Sequence, residues 1–272
     1  MPELPEVETV RAYIERHAAG RTITRVQLLL PRLVKNASAE TFCHVLEGHT
    51  ITAVSRKGKY LLLLLEGDQS LLVHLRMTGS LIYKEVYEEI RGQRIIFSLN
   101  QGYIIYRDIR TLGCVWLVPS EGPTGVAGYD TLGPDGNSSA FTAAYLAQKL
   151  QRTKRSIKSF LLDQKQVAGL GNIYVDEALF RAAIHPQRQC SSLSEEECIR
   201  LHDAVQAVLQ QGLEHGGTTI RDFINGNGQE GSNQAFLCVY GKEGTPCPRC
   251  GHTIAYMKFA GRGTHYCPHC QR

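Results

Sequence analysis

A single tryptophan and three methionines stand among 272 residues, and the longest unbroken apolar run, Tyr60 to Leu65, has six residues. A membrane span needs about 20, so none is expected. The chain opens Met1-Pro2-Glu3-Leu4-Pro5-Glu6, without the basic start of a signal peptide, and no secretory route is expected. Hydrophobic residues at 43% and charged residues at 21% sit near the globular average, which excludes wholesale disorder, collagen and coiled coil. A strong charge of one sign is also missing, since the net charge is only +4. Nine cysteines is an odd count, and Cys43, Cys114, Cys190, Cys198 and Cys238 are scattered without ligand spacing. That is a reduced, intracellular pattern rather than a disulfide framework.

What is present divides the chain. At about 100–200 residues per domain the length allows roughly two domains. Leu4, Val7, Val10 and Ile14 recur at helical steps, so 3–18 reads as a helix, with Glu3 and Glu6 complementing its dipole. Strand-like segments follow at roughly 23–30, 51–55, 59–65, 70–77, 80–86, 94–99, 103–108 and 114–118. Breakers at hairpin spacing separate them, which argues for a sandwich or barrel. The stretch 119–139 is rich in Pro, Gly and Ser and reads as a linker. Helices are expected at 141–150, 156–163, 173–183 and 194–215, the last opened by a capping box, Ser194 with Glu197. The polar loop 225–235 is expected to be mobile.

The basic charge is concentrated. Residues 152–165 carry Arg152, Lys154, Arg155, Lys158 and Lys165 against Asp163, and residues 238–272 carry Lys242, Arg249, Lys258, Arg262 and Arg272 against Glu243. Two such patches fit a polyanion footprint, with a solvated basic face as the alternative. The strongest single signal is Cys247-Pro-Arg-Cys250, sixteen residues, then Cys267-Pro-His-Cys270. Four thiolates at this spacing supply a closed tetrahedral zinc site, so one structural Zn2+ is expected, holding a hairpin too small to fold alone. Between the knuckles, Gly261 and Gly263 flank Arg262. Such a tip displays a guanidinium suited to phosphate, or simply a turn arginine facing solvent.

Two weaker signals remain. Ala168-Gly169-Leu170-Gly171-Asn172 precedes a helix whose expected cap is Asn172, either a phosphate-binding helix start or an ordinary helix–helix turn. At the amino terminus, loss of Met1 would expose the secondary amine of Pro2. An α-amine has a pKa of about 7.7–8.0, so a useful fraction is nucleophilic, and attack on a sugar C1′ would form an iminium that acidifies C2′. Glu3 beside it could relay protons. The plain alternative is that Pro2, Glu3, Pro5 and Glu6 start a helix well.

Together these segments acquire a meaning. Met1-Pro-Glu-Leu-Pro-Glu-Val-Glu-Thr9, Gly171-Asn172-Ile-Tyr-Val-Asp-Glu177, Gly216-Gly-Thr-Thr-Ile-Arg-Asp-Phe223 and Gly261-Arg-Gly-Thr-His-Tyr-Cys267 lie in the order that resembles formamidopyrimidine-DNA glycosylases, from residue 2 to the end. The resemblance implies a bifunctional repair enzyme that removes 8-oxoguanine and ring-opened purines, then cuts the abasic strand by β- and δ-elimination. It implies Pro2 as the Schiff-base nucleophile, Glu3 as its acid/base partner, Lys59 for β-elimination and Arg262 for gripping phosphates and δ-elimination. Lys57, close by, has no such match. Asn172 matches a phosphate contact, Lys158 lies in the matching basic stretch and is expected to touch DNA, and His74 is expected to contact the backbone, with a strand histidine packed against its neighbours as the alternative; the 225–235 loop matches the cover over a flipped purine.

An extruded base leaves a gap that must be filled. Relatives use a methionine, an arginine and a phenylalanine; Met77 and Arg110 match the first two, and Leu112 stands at the third. Leucine can wedge into a base step but forgoes aromatic stacking of about 1–3 kcal/mol. Ile109 replaces the usual proline, and Arg91 stands where relatives often have a DNA-touching histidine. Two rivals are an endonuclease VIII-type glycosylase for oxidised pyrimidines and a non-catalytic zinc-ribbon DNA-binding protein. The expected architecture is α+β. It comprises an N-terminal β-sandwich with a leading helix over 1–135, a helix–two-turns–helix module over 136–235 and a four-cysteine zinc-finger β-hairpin over 236–272. A monomer in a bacterial-type cytoplasm is expected, nucleoid-associated through damaged double-stranded DNA lying in a basic cleft, with no membrane partner.

Overall fold

Strands rich in Val, Ile, Leu and Tyr build the first half of the molecule. The computed structural model describes all of residues 1–272. Strands β1 (Ile23–Leu28), β2 (Ile51–Lys57), β3 (Tyr60–Leu65), β4 (Gln69–His74), β5 (Gly79–Lys84), β6 (Gln93–Leu99), β7 (Tyr103–Asp108) and β8 (Cys114–Pro119) form two four-stranded sheets, ordered β1-β6-β7-β5 and β2-β3-β4-β8. Every pairing in them is antiparallel. The leucine run of β3 hides its period, yet Leu61, Leu63 and Leu65 turn into the core while Leu62 and Leu64 are half-buried on the other face. Helix α1 (Leu4–Ala18) lays Val7, Val10, Ile14 and Ala18 into the same core.

A second helix in this half, α2 (Ala39–Leu46), falls where no element was expected. Ser38 caps it by accepting the Thr41 N–H, and it buries Phe42 and Leu46, one turn apart. A single turn, α3 (Ala127–Asp130), lies within the expected linker.

The chain divides into two compact units, 1–131 with 215–232, and 132–214 with 233–272. The segment 215–232, placed by sequence with the helical module, thus packs with the sandwich. Its attachments explain why. The Tyr83 N–H donates to the Gly226 carbonyl at 2.9 Å, and Ser80 Oγ donates to the Ile224 carbonyl at 2.8 Å. The first part of the expected mobile loop is also tied internally, because Asn225 Oδ1 accepts the N–H groups of Asn227 and Gln229.

The second unit holds α4 (Ala143–Gln151), α5 (Ile157–Leu161), α6 (Asn172–Ala182), α7 (Glu195–Glu214) and a hairpin of β9 (Ala255–Phe259) and β10 (Arg262–Tyr266). The capping box of α7 forms as expected, Ser194 N–H donating to Glu197 and Glu197 N–H to Ser194 Oγ. Helices α6 and α7 meet at Gly212, where a Cβ would run into the Tyr174 hydroxyl. The hairpin turn places Ala260 and Gly261 at φ +51° and +70°, the paired left-handed geometry of a tight two-residue hairpin. No helix is long and apolar enough to cross a membrane.

Candidate active site

The start of α1 concentrates buried charge. Glu3 is its cap, and Glu6 closes the capping box by accepting the Glu3 N–H through Oε2 at 2.7 Å. The other oxygen, Oε1, accepts the Thr218 N–H at 2.7 Å. Gly217 allows that approach: its φ is +87°, and a Cβ there would lie 3.0 Å from Glu6 Cγ. Pro2, Glu3 and Glu6 are all buried. Lys59 lies in the two-residue turn joining β2 to β3, beside Gly58 at φ +58°, and is 5% exposed. Burial lowers the pKa of the Met1 amine, the terminus of the unprocessed chain, below that of an ordinary α-amine, and Lys59 pushes the same way while Glu3, Glu6 and Asp222 resist. The Met1 amine, the buried side chains of Glu3, Glu6 and Lys59, and the exposed Asp222 therefore act on one another around the start of α1.

His74 ends β4 next to this group. Burial, with help from Arg76 and Lys59, brings its pKa down to about 3, so the ring is neutral. Its Nδ1 accepts the Arg76 N–H at 3.0 Å, which leaves the proton on Nε2. Lys57 points elsewhere, its ammonium 5.6 Å from the centre of the Tyr129 ring. Met77 and Leu112 are exposed at 39% and 47%, large apolar side chains offered to solvent by two loops, and Arg110 and Arg91 are exposed as well.

The second unit corrects two expectations. Lys158 is fully buried, and its ammonium donates to Asp176 Oδ1 at 2.6 Å, Thr264 Oγ1 at 2.8 Å and the Gly263 carbonyl at 3.1 Å. With three acceptors on its three protons it is not a DNA contact. It ties α5 and α6 to the finger. Asn172 is not the cap of α6 either, since Gly171 takes that position with extended backbone. The Asn172 side chain is drawn away, Nδ2 donating to the Gly263 carbonyl at 2.8 Å. Two side chains thus hold the residue after Arg262, whose own guanidinium is exposed at the hairpin tip.

Beneath that hairpin, Cys247, Cys250, Cys267 and Cys270 bring their sulfurs together. The Sγ separations of 3.9 Å for Cys247–Cys270 and 3.5 Å for Cys250–Cys267 bracket the roughly 3.8 Å between thiolates around tetrahedral zinc. With four protein ligands the metal is closed to substrate and holds the hairpin.

The sequence reading gave Glu6 only the role of a helix-start residue and gave Asp176, Thr78 and Asp108 none; the signal for more at Glu6 is its place as the fourth residue of a capping box whose cap is itself acidic.

Comparison with known proteins follows these features segment by segment. The N-terminal domain model of formamidopyrimidine-DNA glycosylase matches residues 1–115, the H2TH domain model of the same enzyme matches 132–224, and a zinc finger found in FPG and IleRS matches 244–272. The Formamidopyrimidine-DNA glycosylase of Pelotomaculum thermopropionicum is 46% identical, with 100% of this chain and 99% of that protein covered. Among solved structures, a Lactococcus lactis FPG mutant complexed with Fapy-dG containing DNA matches at TM-score 0.91 and 38% identity over 100% of both chains. The MutM (FPG) protein of Thermus thermophilus matches at 0.89 and 39%, covering 99% of this chain and 98% of that one. The four cysteines are therefore a structural zinc site of this finger type.

Proposed function

As a member of the formamidopyrimidine-DNA glycosylase family, this chain is a DNA-repair glycosylase, and we propose that it excises oxidised purines through a Schiff base on Pro2 and then cuts the strand. The observation that carries this reading is the buried cluster at the start of α1, where Pro2, Glu3 and Lys59 are all shielded from water and the chain terminus interacts with Glu3 and Lys59. Loss of Met1 leaves the Pro2 secondary amine in this desolvated place, where burial disfavours its charged form and favours the nucleophilic one.

With Met1 removed, Pro2 nitrogen attacks C1′, the C1′–N bond to the damaged base breaks, and the base leaves with the electron pair and a proton. Glu3 relays protons during this exchange. The C1′–O4′ bond then breaks, O4′ takes a proton from Glu3, and the ring-opened iminium so formed acidifies the proton on C2′. Loss of that proton, assisted by Lys59, expels the 3′ phosphate, and a further elimination, assisted by Arg262, expels the 5′ phosphate. Arg262, Arg91, Asn172 and the neutral His74 contact the DNA backbone, while Met77, Arg110 and Leu112 fill the gap left by the extruded nucleotide. The protein acts as a monomer in the cytoplasm. Zinc supplies no chemistry to these steps; it makes the Arg262 hairpin rigid.

Damaged duplex DNA as the substrate is supported by relatives: Lactococcus lactis Fpg has been crystallised with DNA containing Fapy-dG and with DNA containing an abasic site. The same protein has also been crystallised with DNA containing an oxidized pyrimidine, so the choice of base needs its own test. Incision of 8-oxoguanine:C duplex should outpace incision of thymine glycol:A duplex. The reverse preference would replace the purine reading with the endonuclease VIII-type one.

A further inference from the structure

Two loops display Met77 and Leu112, and one buried carboxylate joins them. Residues 75–78 connect β4 to β5, and residues 109–113 connect β7 to β8. Asp108, at the end of β7, is wholly buried and pairs in register with Gly79 at the start of β5. Its Oδ1 accepts the Thr78 hydroxyl at 2.5 Å, and its Oδ2 accepts the Gly113 N–H at 2.8 Å. Thr78 Oγ1 accepts the Arg110 N–H in turn, at 3.0 Å. Hydrogen bonds thus join Thr78, the residue after Met77, directly to Arg110 and through Asp108 to Gly113, on the two sides of Leu112.

The surroundings allow little else. The Tyr106 hydroxyl is buried without a hydrogen-bond partner, and it sits where a side chain on either loop-closing glycine would go. A Cβ at Gly113 would overlap it outright, and a Cβ at Gly79 would lie 2.8 Å from it. Each loop also carries one non-glycine residue in left-handed backbone, Arg76 at φ +56° and Thr111 at φ +55°. For β-branched Thr111 this is a costly conformation, held only where neighbours over-determine it.

We propose that Asp108 and Thr78 are a positioning pair that locks the two gap-filling loops in one arrangement, so that Met77, Arg110 and Leu112 enter the duplex together. The proposal rests on the gap-filling role given above to those three residues. Asp108 touches no DNA; it acts through the loops. A carboxylate suits the place because both of its oxygens accept, one donor from each loop, whereas an amide offers a single acceptor.

The test compares two substrates. Excision from duplex DNA needs the gap filled; covalent trapping on a preformed abasic site in single-stranded DNA does not. Asp108→Asn and Thr78→Val should each slow single-turnover excision of 8-oxoguanine from duplex by roughly 10- to 100-fold, with trapping on the single strand unchanged. Thr78→Ser, which keeps the hydroxyl, should restore the duplex rate. Should Asp108→Asn fail to fold, the Thr78→Val and Thr78→Ser pair decides alone. Equal slowing on both substrates, or no slowing on either, overturns the proposal. A wild-type protein that neither excises nor traps would instead remove the proposed function, and the two failures are distinguishable.

Discussion

Glu6 and Thr218, 212 residues apart in sequence, are joined by a buried hydrogen bond of 2.7 Å from the Thr218 N–H to the Glu6 carboxylate. The same carboxylate accepts the Glu3 N–H, so one side chain sets both the cap of α1 and the returning segment 215–232. Glu6→Gln turns one of these acceptors into a donor that faces an N–H. Leaving a buried donor unmet costs about 1–3 kcal/mol. Urea unfolding should show a loss of that order, with a fall in excision rate. Wild-type values for both would show that Glu6 positions nothing.

His74 gives stability a pH dependence of known sign. Its folded pKa, about 3, lies below the unfolded value of 6.5. Below pH 6.5 the unfolded ring takes a proton that the folded ring refuses. The contribution is therefore complete above pH 6.5 and declines as pH falls toward 3, by about 1.4 kcal/mol per pH unit. Between pH 6.5 and 5 the wild type should lose roughly 2 kcal/mol more than His74→Gln. Parallel pH profiles from urea unfolding would contradict a buried neutral His74.

Much of this organisation was legible beforehand, for local reasons. The zinc quartet announces itself because two CxxC knuckles are each complete within four residues. The stripe of α1 follows from its period of 3.6, and the eight strands from apolar runs separated by breakers at hairpin spacing. What stayed hidden depends on partners far away in the chain. Lys158 sits in a basic stretch that reads as surface, and only Asp176 and the finger residues Gly263 and Thr264 reveal it as interior. Asn172 looks like a cap until the Gly263 carbonyl claims its amide. Helix α2 spans only Ala39–Leu46, too short for its period to stand out.

The buried Lys158–Asp176 pair should be intolerant of half-removal. Lys158→Met leaves Asp176 in the interior without its cation, at a cost of about 3–5 kcal/mol. The double variant Lys158→Met/Asp176→Leu removes both charges and should recover a large part of that loss. Unfolding of the second unit in denaturant measures both. A single-variant loss below about 1 kcal/mol would place Lys158 at the surface after all.

Arg262→Ala should weaken binding to lesion-bearing duplex and reduce the slope of log K against log salt by about one, the mark of one lost phosphate contact. The fold should be undisturbed, because the side chain is exposed at the hairpin tip. Fluorescence anisotropy across a salt series reads both quantities. Unchanged affinity and slope would take Arg262 out of the DNA grip.

The nucleophile is tested most directly by reducing the protein with borohydride on duplex carrying 8-oxoguanine, then mapping the adduct by peptide mass spectrometry on material whose mature first residue has been verified as Pro2. The expected result is one covalent adduct on the Pro2 peptide, absent from Pro2→Gly. Excision without any trapped adduct, or an adduct carried by Lys59 instead, would contradict it.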